Sequence, residues 1–229
     1  PHLLSNVDNG RVLVSGYGVF PQPHDQPASK RPPFVEDLNS LLSVIDLKQR
    51  KTLQEISLPG CSRPHASWLV GKRAYVTCED ERNVLEVNVS TGRPTARFET
   101  QQAGSHVLSF DPATGLLAVS NTDSASATLI DVTSGNTDVV SLASGSEGSR
   151  LINGQFWIAN GQDGSVSVVD PHSAKEVRRI PDVCSFPIAF DANAAQDQVW
   201  LVCFASAEIV SISTETFTVT RRFATDANP

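Results

Sequence analysis

The sequence predicts an all-β chain, a β-propeller of four-stranded antiparallel blades with five repeats, and three observations predict it. First, a phrase of roughly forty residues returns five times, the size of repeat that marks solenoids and propellers. Each copy closes an apolar-alternating run on a short polar residue: SVID at Asp46, LEVN at Asn88, TLID at Asp131, SVVD at Asp170 and VSIS at Ser213. The spacings are 42, 43, 39 and 43 residues. Second, Val, Ile and Leu alternate at period two, broken every few residues by Gly, Asn, Asp, Pro or Ser, which is strand-and-turn patterning. Third, no segment holds helical periodicity for more than a turn. Units of this kind become propeller blades, with a solenoid as the runner-up.

The elements follow in order, four strands A to D per unit, in one domain over residues 1–229 with repeats at about 1–62, 63–104, 105–148, 149–185 and 186–229. The first unit starts from His2, with B at Arg11–Ser15 and C at Leu41–Leu47. In the second, A is His65–Val70, B Arg73–Thr77, C Val84–Val89 and D Thr95–Thr100. The third reads VLSF, LLAVS, ATLIDV and TDVVSL, and the fourth RLIN, QFWIAN, SVSVVD and VRRI. The fifth reads IAF, QVWLVC, EIVSIS and TVTRRF. B and C strands are apolar on both faces because each sheet packs between two neighbours.

The segments Leu41–Gly60 (LLSVIDLKQRKTLQEISLPG) and Arg73–Phe98 (RAYVTCEDERNVLEVNVSTGRPTARF) resemble YVTN-type propeller repeats. In those repeats a "YVTN" strand and a "SVID" strand lead through a turn toward the next blade. The resemblance runs through all five units, with the fourth and fifth drifted. Members of that family often carry more blades than five, and include secreted or periplasmic binding proteins, surface-layer proteins and lactonase-like enzymes. The resemblance therefore implies either a small ring or part of a larger one. The sequence runs from the start of an A strand to just past a D strand, which leaves no blade shared between its ends.

Composition bounds the function. Hydrophobic residues make up 40% and charged residues 19%, so the chain can bury a core and is not disordered. No apolar stretch reaches the eighteen or more residues of a membrane span. A net charge of −7 without a basic run argues against nucleic acid as a partner. No cofactor is expected, as no Gly-rich phosphate loop follows a strand, and no GxSxG motif occurs to support an α/β-hydrolase site. The absence of methionine fits a processed form or a piece of a longer polypeptide.

The four cysteines are placed in pairs. Cys61 and Cys184 precede A strands, and Cys78 and Cys203 end B strands. Residues equidistant from a hairpin turn face each other, and the midpoints of both pairs fall at A–B turns. Cys61–Cys78 and Cys184–Cys203 are therefore the expected bridges, with four buried free thiols as the alternative. Bridges imply a periplasmic, cell-surface or secreted location.

One face of a blade carries the D-to-A and B-to-C connections. On it the sequence places His2, Arg63, His65, His106 and Arg150 as candidate ligand-binding residues around a channel mouth. Several donors converging on one concavity suit a small anionic or carbonyl ligand, with a protein as the other possible partner. A proline-rich insertion, Tyr17–Asn39, adds His24 to the same face. No metal spacing is evident. Glu79, Asp80 and Asp123 are the weak candidates, as carboxylate oxygens suit hard cations. The expected function is an extracytoplasmic binding scaffold. The alternatives are a lactonase-like hydrolase acting on a sugar-acid lactone, which the resemblance implies, and a surface-layer structural module.

Overall fold

A computed structural model describes residues 4–7, 10–16 and 40–226. Among these the chain forms twenty strands in five four-stranded antiparallel sheets, and no helix. The first sheet comprises β1 (Leu4–Val7), β2 (Arg11–Gly16), β3 (Leu41–Asp46) and β4 (Lys51–Ser57). The second holds β5 (Pro64–Val70), β6 (Arg73–Cys78), β7 (Asn83–Asn88) and β8 (Arg93–Glu99). β9 (Ser105–Asp111), β10 (Leu116–Asn121), β11 (Ser126–Asp131) and β12 (Thr137–Ser141) make the third. The fourth holds β13 (Ser146–Ile152), β14 (Gln155–Asn160), β15 (Ser165–Asp170) and β16 (Lys175–Ile180). The fifth closes the series with β17 (Pro187–Ala192), β18 (Gln198–Cys203), β19 (Glu208–Ser213) and β20 (Val219–Ala224). Strands are hydrogen-bonded in chain order within every sheet. The chain divides into two compact units, Pro1–Ser105 and His106–Pro229.

The polar residue that ends each repeated phrase has a local cause. In the first four repeats it closes the turn between the third and fourth strands by accepting backbone N–H groups two and three residues on, and in the fifth the Ser213 hydroxyl accepts from Thr216, three residues on, at 3.3 Å. Asp46 Oδ1 accepts from Lys48 and Gln49 at 2.8 Å each, and Asn88 Oδ1 from Ser90 and Thr91 at 3.0 and 3.2 Å. Asp131 and Asp170 repeat this, each adding a serine hydroxyl, Ser134 or Ser173, at 2.7 and 2.6 Å. Those hydroxyl bonds, first among the causes, hold both carboxyls below the usual carboxylate range. Asn88 also begins the sequon NVS, but its side chain is committed to this turn.

Packing follows from the two-sided apolar strands. In the first unit, Leu13, Leu42 and Ile56 of the first sheet meet Ala74, Val76 and Leu85 of the second. In the second unit the fourth sheet is buried on both faces. Phe156 and Ile158 turn toward Ala118 and Leu129 of the third sheet, and Trp157 and Val168 toward Leu201 and Val210 of the fifth. Burying each such side chain is worth about 1.5–3 kcal/mol. The exposed fourth strands carry charges instead, Arg178 and Arg179 on β16 and Arg221 and Arg222 on β20, which discourage edge-to-edge pairing.

Candidate functional site

In the second, fourth and fifth sheets, the connection entering the first strand meets the loop that leaves the second. The residue just ahead of the first strand has a positive φ: Arg63 (52°), Gly104 (73°), Gly145 (74°) and Phe186 (57°). Two glycines meet that demand without strain. Arg63 and Phe186 do not, and each also precedes a proline, which disfavours helical backbone at that position. Both lie next to a disulfide. Cys61 is bonded to Cys78, with 4.9 Å between Cα atoms, and Cys184 to Cys203, with 6.0 Å. The bridges tie the incoming connection to the end of the second strand, so the pairing expected from the sequence is found.

In the first unit this edge is knitted shut. Arg63 lies 2.8 Å from Glu79 and 3.3 Å from Asp80, and the Arg63 and Glu79 side chains are both buried. Glu81 takes the Ser62 N–H at 2.6 Å and also its hydroxyl. Arg97 on β8 donates to the Gly60 and Pro59 carbonyls at 2.8 and 3.0 Å and to Asn83 at 2.9 Å. The acidic loop therefore serves as a counter-charge for Arg63. His65 lies inside β5, is buried, and offers its carbonyl to the Ser15 hydroxyl of the neighbouring sheet. Two of the weak metal candidates, Glu79 and Asp80, are thus turned to a guanidinium, while Asp123 is exposed in a loop of the second unit. Among the described residues no group of three His, Cys, Asp or Glu is arranged to hold a metal ion.

The second unit presents a more open arrangement. His106, the second residue of β9, places Nδ1 3.4 Å from Oε2 of Glu147, the second residue of β13. Both side chains are mostly covered but reach solvent, at 17% and 18% exposure. The backbone under Glu147 is held by the Ser120 hydroxyl, which donates to its carbonyl. Gly161 stands beside this pair: a Cβ there would lie 3.0 Å from Glu147 Cγ and 3.4 Å from the Phe186 ring. The Phe186 ring in turn meets Phe204 edge-on, with centroids 6.4 Å apart, and Phe204 is exposed. An imidazole–carboxylate pair and an aromatic pair thus share one edge of this unit.

Arg150 differs from its expected position. It lies in the middle of β13, paired with Trp157, and forms a 2.9 Å ion pair with Asp191 of the fifth sheet. The cause is that β13 begins at Ser146, ahead of the expected start at about 149, with a bulge between Ser146 and Ser149. A Ser- and Gly-rich stretch reads as a loop. Yet Gly148 is there because a side chain would strike the Ile188 carbonyl of β17, a close backbone approach that glycine marks in strands. Glu147, Phe186 and Phe204 escaped the sequence reading, which sought donors. Their signal was the breach of glycine at Phe186 and the acid standing where His65 and His106 stand. His2, His24 and the insertion Tyr17–Asn39 lie outside the described residues.

Neither a known protein-family signature nor any curated protein matches the sequence. Solved structures do. Virginiamycin B lyase from Staphylococcus aureus superposes with a TM-score of 0.72 at 14% identity, covering 96% of this chain and 68% of that one. Kuenenia stuttgartiensis hydrazine synthase gives a TM-score of 0.65 at 14% identity, covering 69% of this chain and 48% of that one. The chain therefore spans about half of the synthase chain. At such identity the likeness shows the fold, which is of the β-propeller type, and no activity.

Proposed function

We propose that this chain is an extracytoplasmic propeller scaffold of YVTN-like repeats that binds a small ligand at the loop edge of its second unit. The observation that carries this reading is the mostly covered His106–Glu147 pair, which still reaches solvent, on the same edge as the Phe186–Phe204 ring pair, of which Phe204 is exposed. Binding sites combine a few convergent polar groups with aromatic surface, and this edge supplies both. Its positions are pre-set: Cys184–Cys203 anchors the connection carrying Phe186, and Phe204 N–H donates to the Phe186 carbonyl at 2.9 Å. The two disulfides are compatible with a periplasmic, surface or secreted location. No helix is long and apolar enough to cross a membrane among the described residues. His2, His24, His65, Arg63 and Arg150 remain secondary candidates, of which Arg63, His65 and Arg150 have structural employment in the sheets.

One observation also favours a hydrolase or lyase reading. Glu147 approaches His106 Nδ1 to 3.4 Å, which pairs an imidazole with a carboxylate, the residue types that serve as a general base. One solved neighbour is itself named a lyase. The test is a calorimetric and thermal-shift screen of lactones, sugar acids and amines against the wild type, His106→Ala and Phe204→Ala. Saturable binding lost in both variants, with unchanged circular dichroism, is the expected result. Binding that both variants retain would overturn this site. Turnover of a lactone that disappears in His106→Ala would establish the catalytic reading.

A further inference from the structure

We propose that the face of the fifth sheet turned away from the fourth docks a second copy of this chain, the two faces packing about a two-fold axis along the strands. This face shares no residue with the His106–Glu147–Phe186–Phe204 edge, so the proposal stands apart from the ligand reading.

The third residue of each second strand occupies one repeat position, fixed by its partner on the third strand. Leu13 pairs with Val44, Tyr75 with Glu86, Ala118 with Leu129, Trp157 with Val168 and Trp200 with Ser211. In the first four sheets this residue is at most 1% exposed, whereas Trp200 is 39% exposed. The fourth sheet shows one way the position is covered. Phe217, in the turn between β19 and β20, stacks on Trp157 with centroids 5.7 Å apart, and the Arg178 guanidinium lies 4.3 Å from the same ring. Trp200 and Arg221 hold the register positions of Trp157 and Arg178. Trp200 instead meets Phe223 of its own sheet at 5.5 Å, and that ring is exposed as well. The opposite face of the sheet, with Val199, Leu201, Val210 and Ile212, is fully buried. Paired aromatic rings left open on a rigid sheet are the kind of surface that anchors association.

The charges select the occupant. Asp191, Trp200, Ser211 and Arg221 pair in one row across the four strands, so the row starts on a carboxylate and ends on a guanidinium. Asp191 accepts from Arg150 and from the Ala192 N–H through Oδ1, yet its side chain is 72% exposed. A two-fold rotation about an axis along the strands lays this row over its own reverse. Asp191 of each copy then faces Arg221 of the other, with the aromatic pairs between them. A patch that is its own complement is what an isologous interface requires. Rotation about an axis across the strands would set carboxylate on carboxylate and guanidinium on guanidinium, which like-charge repulsion disfavours.

The experiment is analytical ultracentrifugation of the full chain over a concentration series, from about 1 to about 500 µM. A reversible monomer–dimer equilibrium is expected, with Kd on the order of 10 µM. Trp200→Ser, at an exposed position, should weaken it at least about thirtyfold, as loss of a central aromatic anchor does. Should that variant fail to fold by circular dichroism, Phe223→Ser carries the same test. Asp191→Arg and Arg221→Asp should each weaken self-association at least about tenfold, because each sets like charges together twice. Mixed in equal amounts, these two variants should pair with one another to within about threefold of the wild-type affinity, since both charge contacts are then restored. A chain that stays monomeric throughout the series overturns the second copy and leaves the face to a different protein. Dimers insensitive to Trp200→Ser and Phe223→Ser overturn the use of this face. Charge variants that fail to recover on mixing, or species that grow beyond the dimer without closing, overturn the two-fold arrangement.

Discussion

The second and fifth sheets end their second strand on Cys78 and Cys203, whereas the third and fourth end theirs on Asn121 and Asn160. The register position is the same, since Cys78 pairs with Asn83 and Cys203 with Glu208 just as Asn121 pairs with Ser126 and Asn160 with Ser165. In the cystine sheets the bridge is accompanied by an arginine on the fourth strand. Arg97 holds Asn83 and the carbonyls beside Cys61, and Arg222 holds Glu208 at 3.1 Å and the Val183 carbonyl at 2.8 Å. In the asparagine sheets the amide donates to two hydroxyls on the third strand. Asn121 reaches Ser126 and Thr128 at 3.1 Å each, and Asn160 reaches Ser165 and Ser167 at 3.0 and 2.8 Å. One structural task, fixing the loop edge of a blade, is met by two chemistries that each bring their own neighbours. The covalent form depends on an oxidising compartment, and the polar form does not.

Breaking the covalent form should produce the largest effect. Cys61→Ala with Cys78→Ala opens a loop of 17 residues, and Cys184→Ala with Cys203→Ala one of 19, each worth about 3 kcal/mol in chain entropy. Urea denaturation of the two double variants, with dithiothreitol-treated wild type alongside, measures this. Relaxation of the strained Arg63 and Phe186 backbones, which the bridge no longer holds, offsets part of that loss. A reduced protein as stable as the oxidised one would show that the arginine clasp carries the edge alone and that the comparison is misdrawn.

A smaller effect should come from exchanging one chemistry for the other. Ala143 stands three residues ahead of Ser146, as Cys61 stands three ahead of Pro64, and 143 to 160 spans the same 17 residues as Cys61 to Cys78. Ala143→Cys with Asn160→Cys should therefore form a third bridge. The gain in loop entropy is offset by the two hydroxyls left without the Asn160 amide, for a net stabilisation of about 1 kcal/mol. Thiol titration after air oxidation reports the bridge, and the melting temperature with and without reductant reports its worth. Thiols that stay free would mean the two edges differ in backbone geometry as well as in chemistry.

Much of this contrast was legible in the chain. The cysteine pairs were readable because hairpin symmetry couples sequence distance to spatial distance. The strands were readable because burial on both faces leaves unbroken apolar runs such as QFWIAN and SVSVVD. What stayed hidden depends on partners far apart in sequence. Nothing near Glu147 announces His106, and nothing near Arg97 announces the carbonyls of Pro59 and Gly60. The start of β13 was obscured because GSEGSR has the composition of a loop, while its glycine answers to the Ile188 carbonyl of another sheet. The asparagine lock was open to reading in retrospect: Asn121 and Asn160 are followed by hydroxyl residues at the same two offsets, and the cysteine sheets have Asn83 and Leu85, or Glu208 and Val210, in those places.

The smallest effect tests whether the cystine protects the sheet beneath it. Tyr75 occupies in the second sheet the place of Trp157 in the fourth, and both rings are buried. Burial, with the Glu86 carboxylate adding to it, pushes the Tyr75 phenol up to about 12. The unfolded chain ionises this group near pH 10, so it binds fewer protons than the folded form between pH 10 and about 12. Stability is accordingly unaffected below pH 10 and declines as pH rises through that window. The chain has two tyrosines, Tyr17 and Tyr75. Ultraviolet titration of the oxidised protein should show the Tyr75 half of the phenolate signal only near the upper end of the window. In Cys61→Ala/Cys78→Ala the same half should move down toward pH 10 if the bridge is what keeps the sheet closed at its edge. An unchanged curve in that variant would locate the protection in the packing of Tyr75 against Phe98, whose ring centroid lies 6.2 Å away, and not in the staple.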